Sequence, residues 1–252
     1  MNPEEKKVLQ ETNLRHLVRA GAFRFIDRET PWFPYTSGQV GAYYLQSVCI
    51  ESDGRAYAHA ARSLAELIRS EAGAFDVISG GESRDWDFSN PAAVLLEKPH
   101  AKIYKDGRLI GAALGGKKVV HVADLNNEGS SVRDCWKPAI EKAGGALAGV
   151  FSFVDRLEDG HDLFLEMGLP SFNVVPLDKN AWDIILQENV ISGSLHDQLV
   201  ARMQDRRKWA INALLNNPEY FRKFYSENST RDKALKIMRT YVEISGKLKA
   251  II

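Results

Sequence analysis

The sequence of 252 residues has little cysteine and no long hydrophobic run. Its two cysteines, Cys49 and Cys135, are too few for a disulfide framework and lack metal-ligand spacing, so we expect reduced thiols. No apolar stretch approaches the roughly 20 residues that cross a bilayer. The polar segment 1–7 also lacks the hydrophobic region of a secretory signal. We therefore expect a cytoplasmic protein with no membrane partner.

Histidine pairs and an excess of one charge are absent too. The six histidines show no spacing that brings two of them to one helix face, which argues against a catalytic metal held by protein ligands alone. Lysine plus arginine and aspartate plus glutamate both number 33, so the overall charge gives no reason to expect a nucleic-acid partner. The length suits one α/β domain with a large core, or a domain with an appendage.

The sequence does contain an alternation of strand and helix patterns between residues 75 and 187. Two predicted helices, 4–18 and 55–71, precede this region. Apolar runs then predict five strands, at 76–79, 101–104, 119–123, 148–154 and 172–175. Helical spacing and capping signals predict helices between them, beginning at Pro91, near Ser130, at Leu163 and at Ala181. This rhythm indicates an α/β fold with a mostly parallel sheet flanked by helices.

After residue 193 the strand signals end. Apolar residues on two faces predict two or three helices, one of which begins at the Asn217-Pro218 pair. We expect a domain boundary here, with residues 1–193 as the main domain and 194–252 as a helical C-terminal extension. Packing or contact between subunits would explain the apolar faces of this extension.

The most informative segment runs from Lys117 to Ser131. Its apolar strand ends at Asp124, and open α/β sheets bind ligands at the carboxyl ends of their strands. A turn from Gly129 to Ser131 then leads into a helix whose free backbone N–H groups can hold a phosphate. The alternative is an ordinary strand-to-helix turn with a serine as its N-cap.

This segment resembles the phosphoribosyl diphosphate (PRPP) motif of type I phosphoribosyltransferases. The motif has a hydrophobic strand, two adjacent acids, a few small or hydroxylic residues, and a Gly-Gly-Ser or Gly-Thr turn. The resemblance implies that Asp124 holds the ribose hydroxyls and stabilises developing positive charge. It also implies that the following loop contacts PRPP and wraps its 5′-phosphate, through Asn126, Asn127, Gly129, Ser130 and Ser131.

Two residues depart from the motif. Ala123 stands where the first acid belongs, and Glu128 places a negative charge beside the phosphate loop. Losing one carboxylate from a hydrogen-bonded ribose site removes about 1.5–3 kcal/mol of charge-assisted bonding. The PRPP motif of this chain is therefore degenerate.

Further matches, in order over roughly residues 10–190, are similar to the orotate phosphoribosyltransferases. In that family an aromatic segment forms a hood over the pyrimidine, and here residues 20–54 would form it. Ser37, Tyr43 and Tyr44 would contact the base, because flat aromatic faces suit a planar ring. The two tyrosines also suit packing within a hood strand. Residues 55–193 would form the core.

A second match is the segment Ser79–Ser83, which looks like the Gly-Gly-Glu-Thr turn of the family. The resemblance implies that Gly80 and Gly81 let the backbone approach the pyrophosphate, since no Cβ intervenes. Arg84 follows in an insertion, where it can grip a phosphate oxygen. It can equally pair with one of the aspartates that follow it, Asp85 or Asp87.

A third match is a lysine-containing segment, similar to a mobile loop that closes over the active site of the family. Lys98 and Lys102 would contact PRPP, with Lys102 assisting the leaving pyrophosphate by neutralising its charge. Pro99 and Tyr104 replace a lysine and a histidine of the family pattern. The alternative is that each lysine is an ordinary solvated side chain at the surface.

The fourth match is the pair Asp155-Arg156 at a predicted strand end, similar to the Asp-Arg signature of the family. There the arginine binds the carboxylate of orotate, a task that suits its planar fork of donors. The alternative is an aspartate–arginine pair with local partners. Glu158 and Asp159, which follow, are expected in a solvated loop.

Together these matches imply an enzyme of pyrimidine biosynthesis that transfers phosphoribosyl from PRPP to orotate, forming orotidine 5′-monophosphate and pyrophosphate. They also imply Mg²⁺ carried by PRPP and a homodimer with shared sites. A rival hypothesis is a regulatory protein of the same fold that binds PRPP or a nucleotide without turnover, because Pro99, Tyr104, Ala123 and Glu128 all depart from the family. A purine-type enzyme fits less well, since a purine offers no carboxylate to Arg156.

Overall fold

The computed structural model describes every residue from Met1 to Ile252. The chain forms two compact units. Met1–Ala22 and Ser47–Ile184 make up the first, which we name the sheet unit, and Phe23–Gln46 and Ile185–Ile252 make up the second, the helical unit. This division differs from the predicted boundary after residue 193, in that residues 23–46 group with the C-terminal helices.

The chain contains ten strands, in order β1 (Phe23–Phe25), β2 (Phe33–Pro34), β3 (Val40–Gly41), β4 (Tyr43–Leu45), β5 (Val77–Gly81), β6 (His100–Ile103), β7 (Leu109–Gly111), β8 (Lys118–Asn126), β9 (Ala146–Asp155) and β10 (Ser171–Pro176). Its α-helices are α1 (Pro3–Arg19), α2 (Gly54–Glu71), α3 (Asp85–Leu95), α4 (Lys137–Lys142), α5 (Asp159–Glu166), α6 (Lys179–Gln187), α7 (Gly193–Gln204), α8 (Arg206–Asn216), α9 (Pro218–Ser226), α10 (Arg231–Thr240) and α11 (Ser245–Ile251). None of them is long and apolar enough to cross a membrane.

The sheet unit is built on six strands in the order β10-β9-β8-β5-β6-β7. Every neighbouring pair is parallel except the β6–β7 pair, which is antiparallel. The predicted α/β fold with a mostly parallel sheet is therefore confirmed. Strand β7 was not predicted, because its three half-buried or exposed residues carry no alternating apolar pattern.

Strand β8 lies near the centre of this sheet and is buried from Val119 to Ala123. Parallel strands covered on both faces read as continuous apolar runs, which is why the sequence pattern identified this one. Helix α3 packs against β5 and β8, and Phe88 of α3 stacks on Phe153 of β9 with ring centroids 4.8 Å apart. The carboxyl ends of β5, β8 and β9 consequently meet at one edge of the sheet.

Helix α3 begins earlier than the sequence signals predicted. The Asn90-Pro91 pair predicts a start at Pro91, but the helix starts at Asp85 and Pro91 lies inside it. A proline inside a helix leaves the carbonyl four residues earlier without its N–H donor. That carbonyl belongs to Asp87, and the Tyr57 hydroxyl of α2 donates to it instead.

The helix after β8 starts where it was predicted, with helical conformation from Ser130 onward. Its first part, Val132–Trp136, is a π-helical turn, and α4 continues it to Lys142. Gly144 follows with a φ of 78°, a left-handed conformation that favours glycine after a helix end.

The helical unit contains two small antiparallel sheets, β1–β4 and β2–β3, and its C-terminal part forms five helices, α7 to α11. The predicted number of two or three was therefore too low. Asp205 explains part of the difference, because it ends α7 and its side chain caps α8 through Lys208 N–H at 2.8 Å. The core of this unit includes Trp32, Leu214 and Phe221, all fully buried.

Candidate active site

Two carboxylates meet at the carboxyl edge of the sheet, one from Asp124 of β8 and one from Asp85 of α3. The backbone N–H of Asp124 donates to Oδ1 of Asp85 at 2.9 Å. Oδ2 of Asp85 accepts from the Gly81 N–H at the end of β5, at 3.1 Å. The Ser47 hydroxyl donates to Oδ2 of Asp124 at 2.7 Å. The acid predicted from sequence thus lies beside a second acid and a hydroxyl.

The Asp124 carboxyl is electrostatically perturbed. Burial and the negative charge of Asp85 raise its pKa to about 7, and the Ser47 hydrogen bond opposes this effect. Both causes disfavour the ionised form, because a buried carboxylate loses hydration and a like charge repels it. Near neutral pH the group is therefore poised between its two protonation states.

His121 lies behind this pair and is fully buried. Its Nδ1 lies 3.0 Å from the Ser79 hydroxyl oxygen of β5. Its Nε2 makes no hydrogen bond but lies 3.5 Å from Oδ2 of Asp85. The ring also stacks near Trp136, with centroids 6.2 Å apart. A polar chain therefore runs from Ser79 through His121 to Asp85 inside an otherwise apolar strand pair.

Gly80 and Gly81 are both buried, and protein atoms fill the space beside each one. A Cβ on Gly80 would lie 2.2 Å from Oγ of Ser89, and a Cβ on Gly81 would lie 2.3 Å from Cε2 of Trp136. Internal packing is thus a sufficient reason for these glycines. Their predicted contact with pyrophosphate stays a prediction.

Two cationic side chains lie close to this acidic edge. The Arg84 side chain is exposed and makes no hydrogen bond or close ion pair, but its charge lowers the pKa of Asp87 and of Asp124 against larger raising effects. Lys102 of β6 pairs in register with Gly80, and its Nζ lies 5.3 Å from the centre of the Trp86 ring. Both cations are thus near enough to act on an anionic ligand at this edge.

The loop after β8 packs against the start of α5. Gly160 N–H donates to the Asn127 carbonyl at 2.9 Å, and a Cβ on Gly160 would lie only 2.3 Å from Oδ1 of Asn126 and 2.7 Å from N of Gly129. Gly129 has a φ of 65°, the left-handed conformation that glycine adopts without strain. The loop therefore turns at Gly129, as a phosphate-wrapping loop would.

Several side chains of the loop lack internal partners. Oδ1 of Asn127 and Oε1 of Glu128 are buried and make no hydrogen bond. Ser131 makes no capping hydrogen bond, so the serine N-cap considered as an alternative does not form. Ser130 is half-buried at the first helical position. Buried polar groups without partners are rare in proteins, and this loop holds two of them.

Arg156 follows β9 and is 6% exposed. Its Nη2 lies 3.2 Å from Oε1 of Glu158, which is also buried, and its backbone N–H donates to the Asn126 carbonyl at 3.0 Å. The expectation that Glu158 lies in a solvated loop was wrong, because the ion pair with Arg156 draws it into the interior. Arg156 does lie next to the predicted phosphate loop, and it has a local carboxylate partner.

Lys98 is the predicted PRPP contact that the structure does not bring to this edge. It precedes β6, and its Nζ donates to the carbonyl of Phe75, which precedes β5, at 2.9 Å. Since β5, β6 and β8 run parallel, these groups lie at the amino ends of the strands, opposite Asp124. The segment between Lys102 and β7 is a tight hairpin closed by two hydrogen bonds between Tyr104 and the Gly107–Arg108 pair.

The residues predicted to contact the base lie in the helical unit. Tyr43 is 1% exposed; its carbonyl accepts from the Tyr35 hydroxyl at 2.6 Å, and the Arg202 guanidinium lies 5.8 Å from its ring centre. Tyr44 is half-buried and lies near the Phe33 ring. Ser37 accepts from Gln39 N–H at 3.2 Å. The burial of Tyr43 fits the packing role that the sequence also allowed.

Asp85, His121 and Ser47 are site residues that the sequence reasoning missed. Asp85 was considered only as a partner for Arg84, although it lies four residues after the Gly-Gly turn, close enough to reach back to the strand end. His121 had a visible signal, since it interrupts an apolar strand. Ser47 comes from a distant 3₁₀ turn, Ser47–Ser52, and nothing in its local sequence links it to Asp124.

The sequence of this chain is similar to those of several known enzymes. No protein-family model matches the chain. The chain is 27% identical to the orotate phosphoribosyltransferase of Nitrosococcus oceani over 192 residues, which cover 68% of this chain and 84% of the relative. It is 30% identical to the orotate phosphoribosyltransferase of Acinetobacter baumannii over 141 residues, which cover 51% and 64%.

Three solved structures share the fold. The Leishmania donovani UMP synthase superimposes with a TM-score of 0.67 at 19% identity, covering 76% of this chain but only 41% of the longer enzyme. The Francisella tularensis orotate phosphoribosyltransferase gives 0.62 at 18% identity, covering 76% and 96%. The Mycobacterium tuberculosis orotate phosphoribosyltransferase, whose structure contains PRPP, gives 0.52 at 20% identity, covering 67% and 96%.

The chain therefore has the fold of the type I phosphoribosyltransferases, with Asp124 at the strand end where the degenerate PRPP motif was predicted. Within that class, the relatives found by sequence are orotate phosphoribosyltransferases, so the resemblance first seen in short motifs is confirmed. Those relatives are enzymes of the glycosyltransferase type, in agreement with the expectation that this chain is an enzyme of the same type.

Proposed function

We propose that the protein transfers the phosphoribosyl group of PRPP to orotate, giving orotidine 5′-monophosphate and pyrophosphate. The observation that carries this proposal is the position of Asp124, two residues before the carboxyl end of β8 and close to the loop that turns at Gly129. In the reaction, a bond forms between the ring nitrogen of orotate and C1′ of the ribose. The C1′–oxygen bond breaks, and pyrophosphate leaves with the electron pair.

The roles of the residues follow from their chemistry. Asp124 would accept hydrogen bonds from the ribose hydroxyls and stabilise positive charge that develops on the ribose, which an anionic oxygen does best. The amides around Gly129, Ser130 and Ser131 would hold the 5′-phosphate at the helix start. Lys102 and Arg84 supply positive charge near the leaving pyrophosphate. Each of these roles is a proposal.

Arg156 would orient orotate through its carboxylate. In this structure its guanidinium pairs with Glu158 at 3.2 Å, so orotate would have to compete with a carboxylate of the protein. An arginine carries five N–H groups, so the contact of one of them with Glu158 does not by itself exclude a second carboxylate. We expect a weaker hold on orotate than an arginine with no carboxylate partner would give. The contributions of Ser37, Tyr43 and Tyr44 to base binding stay predictions.

Magnesium would enter with its substrate, bound to the diphosphate oxygens of PRPP as the ion prefers. The chain has no group of three or more histidine, cysteine, aspartate or glutamate side chains that could hold a metal ion by itself. A homodimer is likewise proposed from the family resemblance.

A second candidate function is PRPP or nucleotide binding without turnover. Ala123 in place of the first acid favours it, together with the Arg156–Glu158 pair. The experiment that separates the two is an assay of orotate-dependent PRPP consumption with magnesium, run beside calorimetric titration of PRPP. Consumption with formation of orotidine 5′-monophosphate supports the transferase. Binding without consumption supports the second candidate, and no binding of PRPP contradicts both.

A further inference from the structure

We propose that Asp85 supplies the carboxylate missing at position 123, so that the ribose site of this chain has two acids, one from β8 and one from α3. This inference rests on the proposed function, since it names a further residue that contacts the PRPP ribose. It starts from the place of Asp85 at the sheet edge, where it accepts hydrogen bonds from the ends of two adjacent strands, at Asp124 and at Gly81.

The Asp85 carboxylate lies close to the face of β8 that carries Ala123. Side chains two residues apart on a strand point to the same face, so His121 and Ala123 share a face of β8. Nε2 of His121 lies 3.5 Å from Oδ2 of Asp85. Helix α3 itself covers the opposite face, because Ser89 fills the space beside Gly80, which pairs with Val122. The Asp85 carboxylate lies between the ends of β5 and β8, where it accepts from the N–H groups of Gly81 and Asp124, and from there it reaches His121 on the Ala123 face. It therefore borders the space into which a carboxylate at position 123 would extend.

His121 is a buried polar residue beside Asp85. Its side chain is fully buried, and Nε2 has no hydrogen-bond partner. A buried polar atom without a partner is costly, and this one points towards Asp85. The polar atom nearest to it is thus a carboxylate oxygen of Asp85, at 3.5 Å, so this side of β8 is polar next to Ala123.

The Asp85 carboxylate can accept further hydrogen bonds. An ionised carboxylate accepts about four hydrogen bonds, and two of those positions are taken by backbone N–H groups of Asp124 and Gly81. The side chain keeps 12% of its surface exposed. Acceptor positions thus remain for a ribose hydroxyl, next to the carboxylate of Asp124.

The local sequence shows how this arrangement arises. The Gly-Gly turn at the end of β5 is followed by an insertion, and α3 starts at Asp85. Because the helix begins so close to the strand end, its first residue reaches back to β5 and β8. With alanine at position 123, the edge keeps two carboxylates rather than three.

The test is calorimetric titration of PRPP with magnesium into four proteins: wild type, Asp85→Asn, Ala123→Asp, and the double variant Asp85→Asn/Ala123→Asp. Removing one charge-assisted acceptor from a bound hydroxyl weakens binding by roughly ten- to a hundredfold. We expect that loss for Asp85→Asn, and we expect the double variant to regain most of the affinity by moving the acid to position 123. Glu71→Gln is the control for loss of a carboxylate, since Glu71 is an exposed acid at the end of α2, and it should bind as wild type does.

The single variant Ala123→Asp keeps the test decisive if Asp85→Asn unfolds. With Asp85 in place it would add a third, like charge, so we expect no tightening of PRPP binding. Tighter binding of PRPP by Ala123→Asp would overturn the inference, because it would show that the site lacks an acid.

Other outcomes would also contradict the inference that Asp85 replaces the acid missing at position 123. Unchanged or tighter binding by folded Asp85→Asn would contradict the inference alone, and tighter binding would mean that the Asp85 carboxylate occupies the place of an anionic ligand group. Failure of the double variant to regain affinity would exclude the replacement of one acid by the other. Absence of PRPP binding by the wild type would contradict the proposed function and, with it, this inference.

Discussion

The backbone N–H of Asp124 donates to Oδ1 of Asp85 at 2.9 Å, which ties the end of β8 to the first residue of α3. This bond fixes two carboxyl groups side by side at the sheet edge. Like charges at short range repel, and that repulsion contributes to the raised pKa of Asp124. The stability of the protein and its affinity for PRPP should therefore both respond to the protonation of this pair.

The pH dependence of stability follows from the Asp124 pKa, which burial and Asp85 raise to about 7 in the folded protein. An unfolded aspartate titrates near 4. The folded state thus binds the proton more tightly, so the contribution of this group to stability is full below about pH 4 and is lost as the pH rises through about 7. We expect Asp124→Asn, which cannot ionise, to gain stability relative to wild type between pH 5 and pH 7. Urea unfolding of both proteins across that range measures the difference, and a difference that does not change with pH would refute the assignment.

The loop after β8 depends on a glycine in α5. A Cβ at Gly160 would lie 2.3 Å from Oδ1 of Asn126 and 2.7 Å from N of Gly129, so Gly160→Ala must displace the phosphate loop. We expect a loss of about 1–3 kcal/mol in the free energy of unfolding, and weaker binding of PRPP. Thermal and urea unfolding measure the first effect, and titration with PRPP measures the second.

Gly54 offers a matched control for that variant. It is the first residue of α2, and a Cβ there meets nothing within 4 Å. Gly54→Ala should therefore leave PRPP binding unchanged and should not destabilise the fold. If Gly160→Ala behaves in the same way, the loop does not depend on its packing against α5.

The Arg156–Glu158 pair should control the affinity for orotate. Glu158→Gln keeps the shape of the side chain but removes the charge that competes with orotate, so the KM for orotate should fall while the KM for PRPP stays constant. Arg156→Gln should raise the KM for orotate by roughly ten- to a hundredfold. Steady-state kinetics with each substrate varied in turn tests both variants. If the KM for orotate does not change in either one, Arg156 does not contact the base.

Replacing Arg156 alone also has a structural consequence. Both partners are almost fully buried, and removing one member of a buried ion pair costs about 3–5 kcal/mol, because the remaining buried charge loses the attraction of the other. The double variant Arg156→Gln/Glu158→Gln should recover most of this loss. Urea unfolding of the two single variants and the double variant measures the coupling, and purely additive effects would mean that the pair contributes nothing.

Much of the fold could be predicted from sequence, because its buried strands and its helices have clear patterns of apolar residues. Buried parallel strands such as β8 and β9 read as apolar runs, and the helix after β8 has clear three- and four-residue spacing. The start of α3 could not be read locally. Pro91 looks like a helix start, but it lies inside the helix, and a distant tyrosine, Tyr57, donates to the carbonyl that the proline leaves without a donor.

The site was predictable to the extent that its residues lie in one segment. Asp124 and the loop through Gly129 were identified from their order along the chain. Asp85 and Ser47 were not, because their role depends on tertiary contacts with β8 that no local pattern records. The pairing of Arg156 with Glu158 was missed for a related reason, since charged residues at a strand end are usually solvated, and their burial depends on the packing around them.

The most direct test of the account is calorimetric titration of PRPP, with magnesium, into the wild-type protein and the Asp124→Asn variant. We expect one binding event per chain for the wild type and an affinity lower by roughly ten- to a hundredfold for the variant, because one charge-assisted acceptor of the ribose is lost. Equal affinity in the two proteins, or no binding by the wild type, would contradict it.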